Sequence, residues 1–125
     1  MIEPELKTLT SIDVDDLETW LPDSSGFSVT IDLEIGPTGD ERADRFHLHV
    51  VSPAWLDRSM DADGMEDGRH LLLVKTFDYR RIRSWIDGVL ARSAGDDWDG
   101  VAGKLTRYLA WEFEDYQDVR NDGAP

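Results

Sequence analysis

Every second side chain is apolar in the segment Phe27-Ser28-Val29-Thr30-Ile31-Asp32-Leu33-Glu34-Ile35. Strict alternation of this kind predicts a β-strand with one face buried and the other in solvent. The turn sequence Gly36-Pro37-Thr38-Gly39-Asp40 follows, and Phe46, Leu48 and Val50 then resume the alternation. The two runs predict a hairpin with a long connection, around which the other elements must be arranged.

Weaker patterns flank this hairpin. Residues 5–10 predict a further strand ahead of it, and Ser52 followed by Pro53 is typical of the N-cap and first position of a short helix. Residues 70–76 are almost continuously apolar and rich in β-formers at their centre. Such a run indicates a strand that is covered on both faces or central in the sheet.

Two amphipathic helices are predicted after residue 77. Asp78 is the N-cap of the first, and the second starts near Asp96 or Asp97. The apolar stripe of the second comprises Trp98, Val101, Ala102, Leu105, Leu109, Phe113 and Tyr116. The chain therefore predicts a single α+β domain over residues 1–125. Its antiparallel sheet of three or four strands is packed on one face by the two C-terminal helices, with a short helix between strands.

Acidic residues dominate the charge of the chain. It holds 27 Asp and Glu against 13 Lys and Arg, a net charge of −14. The charges occur in blocks along the sequence. Residues 1–20 and 96–118 are strongly acidic, whereas residues 79–92 contain four arginines and one aspartate. Such a field attracts basic partners and repels nucleic acid and anionic membranes. The excess of Asp over Glu is also typical of proteins from salt-adapted organisms. In that alternative the acidic residues only keep the surface solvated, and the protein is a self-associating adaptor.

Several classes of protein are disfavoured by what the sequence lacks. It contains no cysteine, so neither disulfides nor thiolate chemistry is expected. The first ten residues have no apolar run typical of a signal peptide, and no segment approaches the ~20 apolar residues of a membrane span. We therefore expect a cytoplasmic protein.

Candidate catalytic and metal-binding groups are sparse. His47 and His49 are two residues apart on one strand face, and His70 precedes the next strand, so the three imidazoles are an alternative metal or enzyme site. Asp32 and Glu34 share a strand face as paired carboxylates do in glycoside hydrolases, but solvated residues opposite the core are the simpler interpretation. No nucleophile motif or phosphate-binding loop is present, and no cofactor is expected.

The densest combination of aromatic and acidic residues is Trp111-Glu112-Phe113-Glu114-Asp115-Tyr116. At helical spacing Phe113 and Tyr116 fall on the core stripe, whereas Glu114, Asp115 and Asp118 face outward. We interpret Trp111 as an aromatic anchor ringed by Glu112, Glu114 and Asp115. Together with Asp32 and Glu34 on the solvated sheet face, these residues are the predicted contact site for a basic protein partner.

A series of short motifs along most of the chain is similar, in sequence and in order, to that of a known family. They are Ile35-Gly36-Pro37 with Gly39, Pro53 with Trp55-Leu56, Arg69 before Leu71 to Val74, Phe77-Asp78-Tyr79 with Ile82, Trp98, Leu105, and the hexapeptide Trp111 to Tyr116. With these motifs the chain resembles the immunity protein 8 family of bacterial polymorphic toxin systems. The resemblance implies a small α+β protein without a reaction of its own, made beside a toxin that it binds and blocks. Toxins of such systems are often nucleases with basic substrate grooves, which an acidic inhibitor suits.

Overall fold

The computed structural model of the chain describes residues 1–23 and 25–114. The elements in chain order are β1 (Pro4–Thr10), β2 (Ser28–Pro37), β3 (Asp44–Val51), α1 (Pro53–Ser59), β4 (Leu71–Leu73), α2 (Tyr79–Ala91), α3 (Trp98–Leu105) and β5 (Ala110–Trp111). The predicted α+β class is therefore confirmed. None of the helices in these ranges has the length and apolar character needed to cross a bilayer.

The predicted hairpin forms the centre of the sheet. β2 and β3 pair in antiparallel fashion, with Ile31 opposite Leu48 and Leu33 opposite Phe46. β1 lies antiparallel along the other side of β2, with Thr10 opposite Asp32. Because side chains alternate along all three strands, apolar residues gather on one face and polar residues on the other.

The expectation of a purely antiparallel sheet is wrong. β4 pairs in parallel with the end of β3, from His49 to Val51, and β5 pairs antiparallel with Phe46 and His47 along the same edge. A parallel neighbour needs a long crossover, and α1 with the loop after it supplies one between β3 and β4.

The strand predicted over residues 70–76 is also shorter and less buried than expected. β4 has only three residues, lies at the edge of the sheet, and leaves Leu73 54% exposed. The prediction that this segment is central or covered on both faces is wrong. Within this run, Leu71 to Leu73 form the short edge strand, and Leu72 and Val74 pack, partly buried, against the core.

The core lies between one face of the sheet and the two later helices, as predicted. Ile82, Ile86 and Val89 of α2 and Val101 and Leu105 of α3 are at most 2% exposed. They pack against buried residues of β2 and β3, which are Val29, Ile31, Leu33, Ile35, Phe46, Leu48 and Val50. Each such side chain contributes about 1.5–3 kcal/mol through the apolar surface it removes from water.

The predicted helix starts are confirmed by their caps. Ser52 accepts a hydrogen bond from the backbone N–H of Trp55, and Asp78 accepts from the N–H groups of Arg80 and Arg81. Asp97 accepts from the N–H of Gly100 at the start of α3. Each side chain satisfies backbone donors that have no partner within the helix.

The predicted continuation of the last helix toward residue 116 is wrong over the described residues. α3 ends at Leu105, and the chain turns before it enters β5. Phe113 is 45% exposed and not on a core stripe. Pairing of β5 with β3 is favoured over a longer helix because β4 pairs with only the last part of β3. Without β5, Phe46 and His47 would present an unpaired strand edge. Asp115, Tyr116 and Asp118 lie outside the described residues.

Candidate functional site

One face of the sheet, which we call the open face, carries the polar side chains that alternate with the core. It comprises Thr8 and Thr10 on β1, Thr30, Asp32 and Glu34 on β2, and Arg45, His47 and His49 on β3. The strand register aligns them in rows. One row runs from Thr8 to Glu34 to Arg45, and the next from Thr10 to Asp32 to His47. Directly opposed side chains in such rows are close enough to interact.

The two carboxylates of the open face differ in their surroundings. Glu34 accepts a hydrogen bond from Thr8 Oγ1 at 2.7 Å, which fixes its position. Asp32 makes no hydrogen bond or ion pair through its side chain with residues 1–23 or 25–114. Both carboxylates, with Arg45, line a shallow pocket of about 280 Å³. The open face therefore presents Asp32 to solvent beside an oriented Glu34.

β5 brings the acidic C-terminal segment next to this face. The N–H of Glu112 donates to the carbonyl of Arg45 at 3.0 Å, and the N–H of Arg45 donates to Glu112 Oε1 at 2.8 Å. Arg45 thus lies between Glu34 on β2 and Glu112, the residue that follows β5. Among the described C-terminal residues, Glu112 therefore lies next to the open face that carries Asp32 and Glu34, about 80 positions earlier in the chain, whereas Trp111 stacks on the core residue Phe46.

Trp111 is partly buried and packs against the core of the fold. Its ring is only partly exposed and stacks on Phe46 with 6.3 Å between centroids and 14° between planes. Its indole N–H donates to Asp44 Oδ2 at 3.1 Å, and the same oxygen accepts the indole N–H of Trp98 at 2.7 Å. The more exposed aromatic side chain of this segment is that of Phe113, whose ring meets Trp111 edge-on at 5.6 Å.

Asp44 is a residue that sequence reasoning missed. It stands at the start of β3, and its one carboxylate oxygen holds two indoles that are contributed by α3 and β5. No local pattern marks it, because both donors approach from distant parts of the chain. Its carboxylate links the end of the hairpin to the C-terminal segment.

Glu114 is also engaged within the protein. Its carboxylate forms an ion pair with Arg69, and Oε2 lies 4.0 Å from Nε2 of His70. The Glu114 side chain is 19% exposed. Glu112 and Glu114 therefore hold the C-terminal segment against the sheet, in addition to the negative charge that they place at its surface.

The three histidines do not converge. His47 and His49 lie on the open face, where His49 hydrogen-bonds Ser28 and meets Trp55 of α1 edge-on at 5.2 Å. His70 instead directs Nε2 to the carbonyl of Thr106 at 2.9 Å, at the carboxyl end of α3 on the helix-covered side. Over the two described ranges, no group of three or more His, Cys, Asp or Glu residues is arranged to hold a metal ion.

Comparison with known proteins identifies the family. A family model described as Immunity protein 8 matches residues 4–116. Neither the search of curated proteins nor that of solved structures finds a significant match. The matched range includes the five strands and three helices of the described residues, together with the candidate residues of the open face and β5. The chain belongs to the immunity protein 8 family.

Proposed function

We propose that this protein binds and neutralises a cognate bacterial toxin domain, as a stoichiometric inhibitor without a reaction or cofactor of its own. The family match over residues 4–116 is the observation that supports this most directly. The toxin that fits best is a nuclease or another protein with a basic surface, because the inhibitor has a net charge of −14. Such a pair associates quickly through long-range attraction.

The proposed contact surface combines the open face with the adjoining C-terminal segment. Asp32 and Glu34 present carboxylates on β2, and Glu112 adds negative charge beside β3, while Glu114 is paired with Arg69. Trp111 supports the edge of this surface from within, and Asp115 and Asp118 extend the acidic sequence beyond the described residues. A basic toxin groove would meet charges of opposite sign across this surface.

The same charge argues against other partners. A negative field opposes contact with nucleic acid and with anionic membranes, so we include neither among the partners. The proposal places the inhibitor in the cytoplasm, where a toxin acting on its own producer would have to be blocked.

The test uses the full chain and the toxin domain encoded by the neighbouring reading frame. Titration of the toxin with the inhibitor should abolish toxin activity at a fixed molar ratio. The association rate, measured by stopped flow, should fall at least tenfold between about 0.05 and 0.5 M salt, because screening shortens the range of attraction. A titration that leaves the toxin unbound and active would overturn the function. Inhibition with a salt-independent association rate would overturn only the steering.

A further inference from the structure

An exposed apolar side chain borders the open face where β1 ends. Ile12 follows the last residue of β1 by two positions and is 91% exposed. It lines the same shallow pocket of about 280 Å³ as Thr10, Asp32 and Arg45. Ile12 therefore lies between the carboxylates of the open face and the acidic loop of residues 13–18.

The residues on both sides of Ile12 are tied to Thr30 of β2. Ser11 Oγ donates to the carbonyl of Thr30 at 2.6 Å and accepts the backbone N–H of Asp13 at 3.0 Å. Asp13 Oδ2 in turn accepts the backbone N–H of Thr30 at 2.8 Å. These bonds hold the backbone around Ile12 against the sheet, and a β-branched side chain has few rotamers. Little conformational entropy is therefore lost when a partner covers Ile12.

Exposure alone does not distinguish Ile12, because single exposed apolar side chains are common on protein surfaces. Leu21 is 90% exposed in the same segment, but it lines a depression with Thr76 and Tyr79 at the start of α2. Ile12 differs from Leu21 in its rigid support and in its place beside the open-face carboxylates.

The pocket that Ile12 lines carries more negative than positive charge. Asp32 and Glu34 contribute two carboxylates to the lining, and Arg45 contributes a cation. The backbone N–H of Arg45 donates to Glu112 Oε1, which places a third carboxylate beside it. Arg45 therefore offsets only part of the acidic charge of this surface.

The segment around Ile12 adds to this excess. Residues 8–41 contain nine Asp and Glu and no Lys or Arg. Asp13 places one of these carboxylates directly after Ile12, and Lys7, the last cation before the segment, is ion-paired with Glu5. A partner that covers Ile12 must therefore bring cations to match the carboxylates around it.

We infer that Ile12 is an anchor of the complex, inserted into an apolar depression between lysine and arginine side chains of the toxin. The inference rests on the proposed function and names the residue that keeps the complex together after encounter. The surrounding carboxylates select a basic surface, and the fixed apolar side chain selects a depression within it. A few fully desolvated side chains carry most of the affinity of many protein complexes, whereas charges at the rim act mainly on association.

The experiment truncates Ile12 in the full chain and measures binding to the toxin domain encoded by the neighbouring reading frame. Ile12→Ala removes most of the apolar surface of this side chain and leaves the charge of the protein unchanged. Leu21→Ala is the matched control, because Leu21 is equally exposed and lies away from the open face. Ile12→Val keeps a β-branched apolar side chain. Circular dichroism and thermal melts verify that all three variants fold.

Ile12→Ala should weaken the affinity about tenfold or more, mainly through faster dissociation, because it removes an anchor. Ile12→Val should lose less than about threefold and Leu21→Ala less than about twofold, since the first keeps most of the contact and the second removes none. The loss in Ile12→Ala should be the same at about 0.05 and 0.5 M salt, because an apolar contact is not screened.

Wild-type affinity in Ile12→Ala, or a loss no larger than that in Leu21→Ala, would overturn the anchor and leave the proposed function intact. A loss that disappears at high salt would also overturn it, since only an electrostatic effect is screened. A wild-type protein that does not bind the toxin would overturn both proposals. A wild type that forms a dimer by itself, which Ile12→Ala dissociates, would assign Ile12 to a contact between two copies and overturn its role in the complex.

Discussion

The two faces of the sheet are built from the same strands and have opposite properties. On β2, Val29, Ile31 and Leu33 are at most 1% exposed beneath α2 and α3, whereas Asp32 and Glu34 between and beside them reach solvent. Neighbouring residues in one strand therefore have different roles, because successive side chains point to opposite faces of the sheet. The covered face supplies stability and the open face is available for recognition, so substitutions should separate the two.

Truncation of adjacent residues on β3 is the largest test of this difference. Leu48 is fully buried in the core, and His47 next to it is exposed on the open face. Leu48→Ala should lower the free energy of unfolding by about 2–5 kcal/mol, since it removes buried apolar surface and leaves a cavity. His47→Ala should change it by no more than about 0.5 kcal/mol. Urea unfolding of both variants measures the contrast, and equal losses would contradict the separation.

Removal of the Asp44 carboxylate tests how much its hydrogen bonds to Trp98 of α3 and Trp111 of β5 stabilise the protein. Asp44→Ala leaves the indole N–H groups of Trp98 and Trp111 without their shared acceptor. The free energy of unfolding should fall by about 1–3 kcal/mol, because partly buried donors lose a charged partner.

Asp44→Asn is the matched variant, since it keeps an amide oxygen as acceptor and should lose less. Denaturant unfolding followed by tryptophan fluorescence reports both the stability and the indole surroundings. A wild-type stability for Asp44→Ala would show that β5 is held by its strand pairing and ring stacking alone.

Neutralisation of the open-face carboxylates should have the smallest effect on stability. Asp32→Asn with Glu34→Gln keeps the Thr8 hydrogen bond acceptor and should change the free energy of unfolding by no more than about 0.5 kcal/mol. The association rate with the toxin should fall roughly two- to fivefold, because charges at an interface act mainly on encounter.

The control for this double variant is Asp61→Asn with Asp63→Asn, which removes the same charge from the exposed loop after α1. Stopped-flow association should be slowed less in the control than in the open-face variant. Equal slowing in both would mean that only net charge matters and that the open face is not the contact surface.

Much of the fold follows from local pattern. The alternation over residues 27–35 and from Phe46 to Val50 predicts β2 and β3, and Ser52, Asp78 and Asp97 mark the helix starts. The pattern also places Asp32 and Glu34 opposite the core. These features depend on backbone geometry within a few residues, so the sequence expresses them directly.

The C-terminal segment shows where local pattern fails. Its apolar spacing predicts a helix through residue 116, yet the chain leaves the helix after Leu105 to pair with β3. The acceptor for Trp111 is Asp44 and the ion-pair partner of Glu114 is Arg69, both far away in sequence. A helical pattern cannot reveal these partners, because they exist only once the sheet edge has formed.

The amino-acid sequence by itself determined the hairpin, the helix starts, the division of the sheet into an apolar and a polar face, and the acidic field. Tertiary structure alone decided that β4 runs parallel to β3, that the three histidines diverge, and that Trp111 is held by Asp44. The physical reason is the separation in sequence between the residues that interact. Side-chain alternation and capping act over a few residues, whereas strand pairing and shared acceptors join segments that meet only in the folded chain.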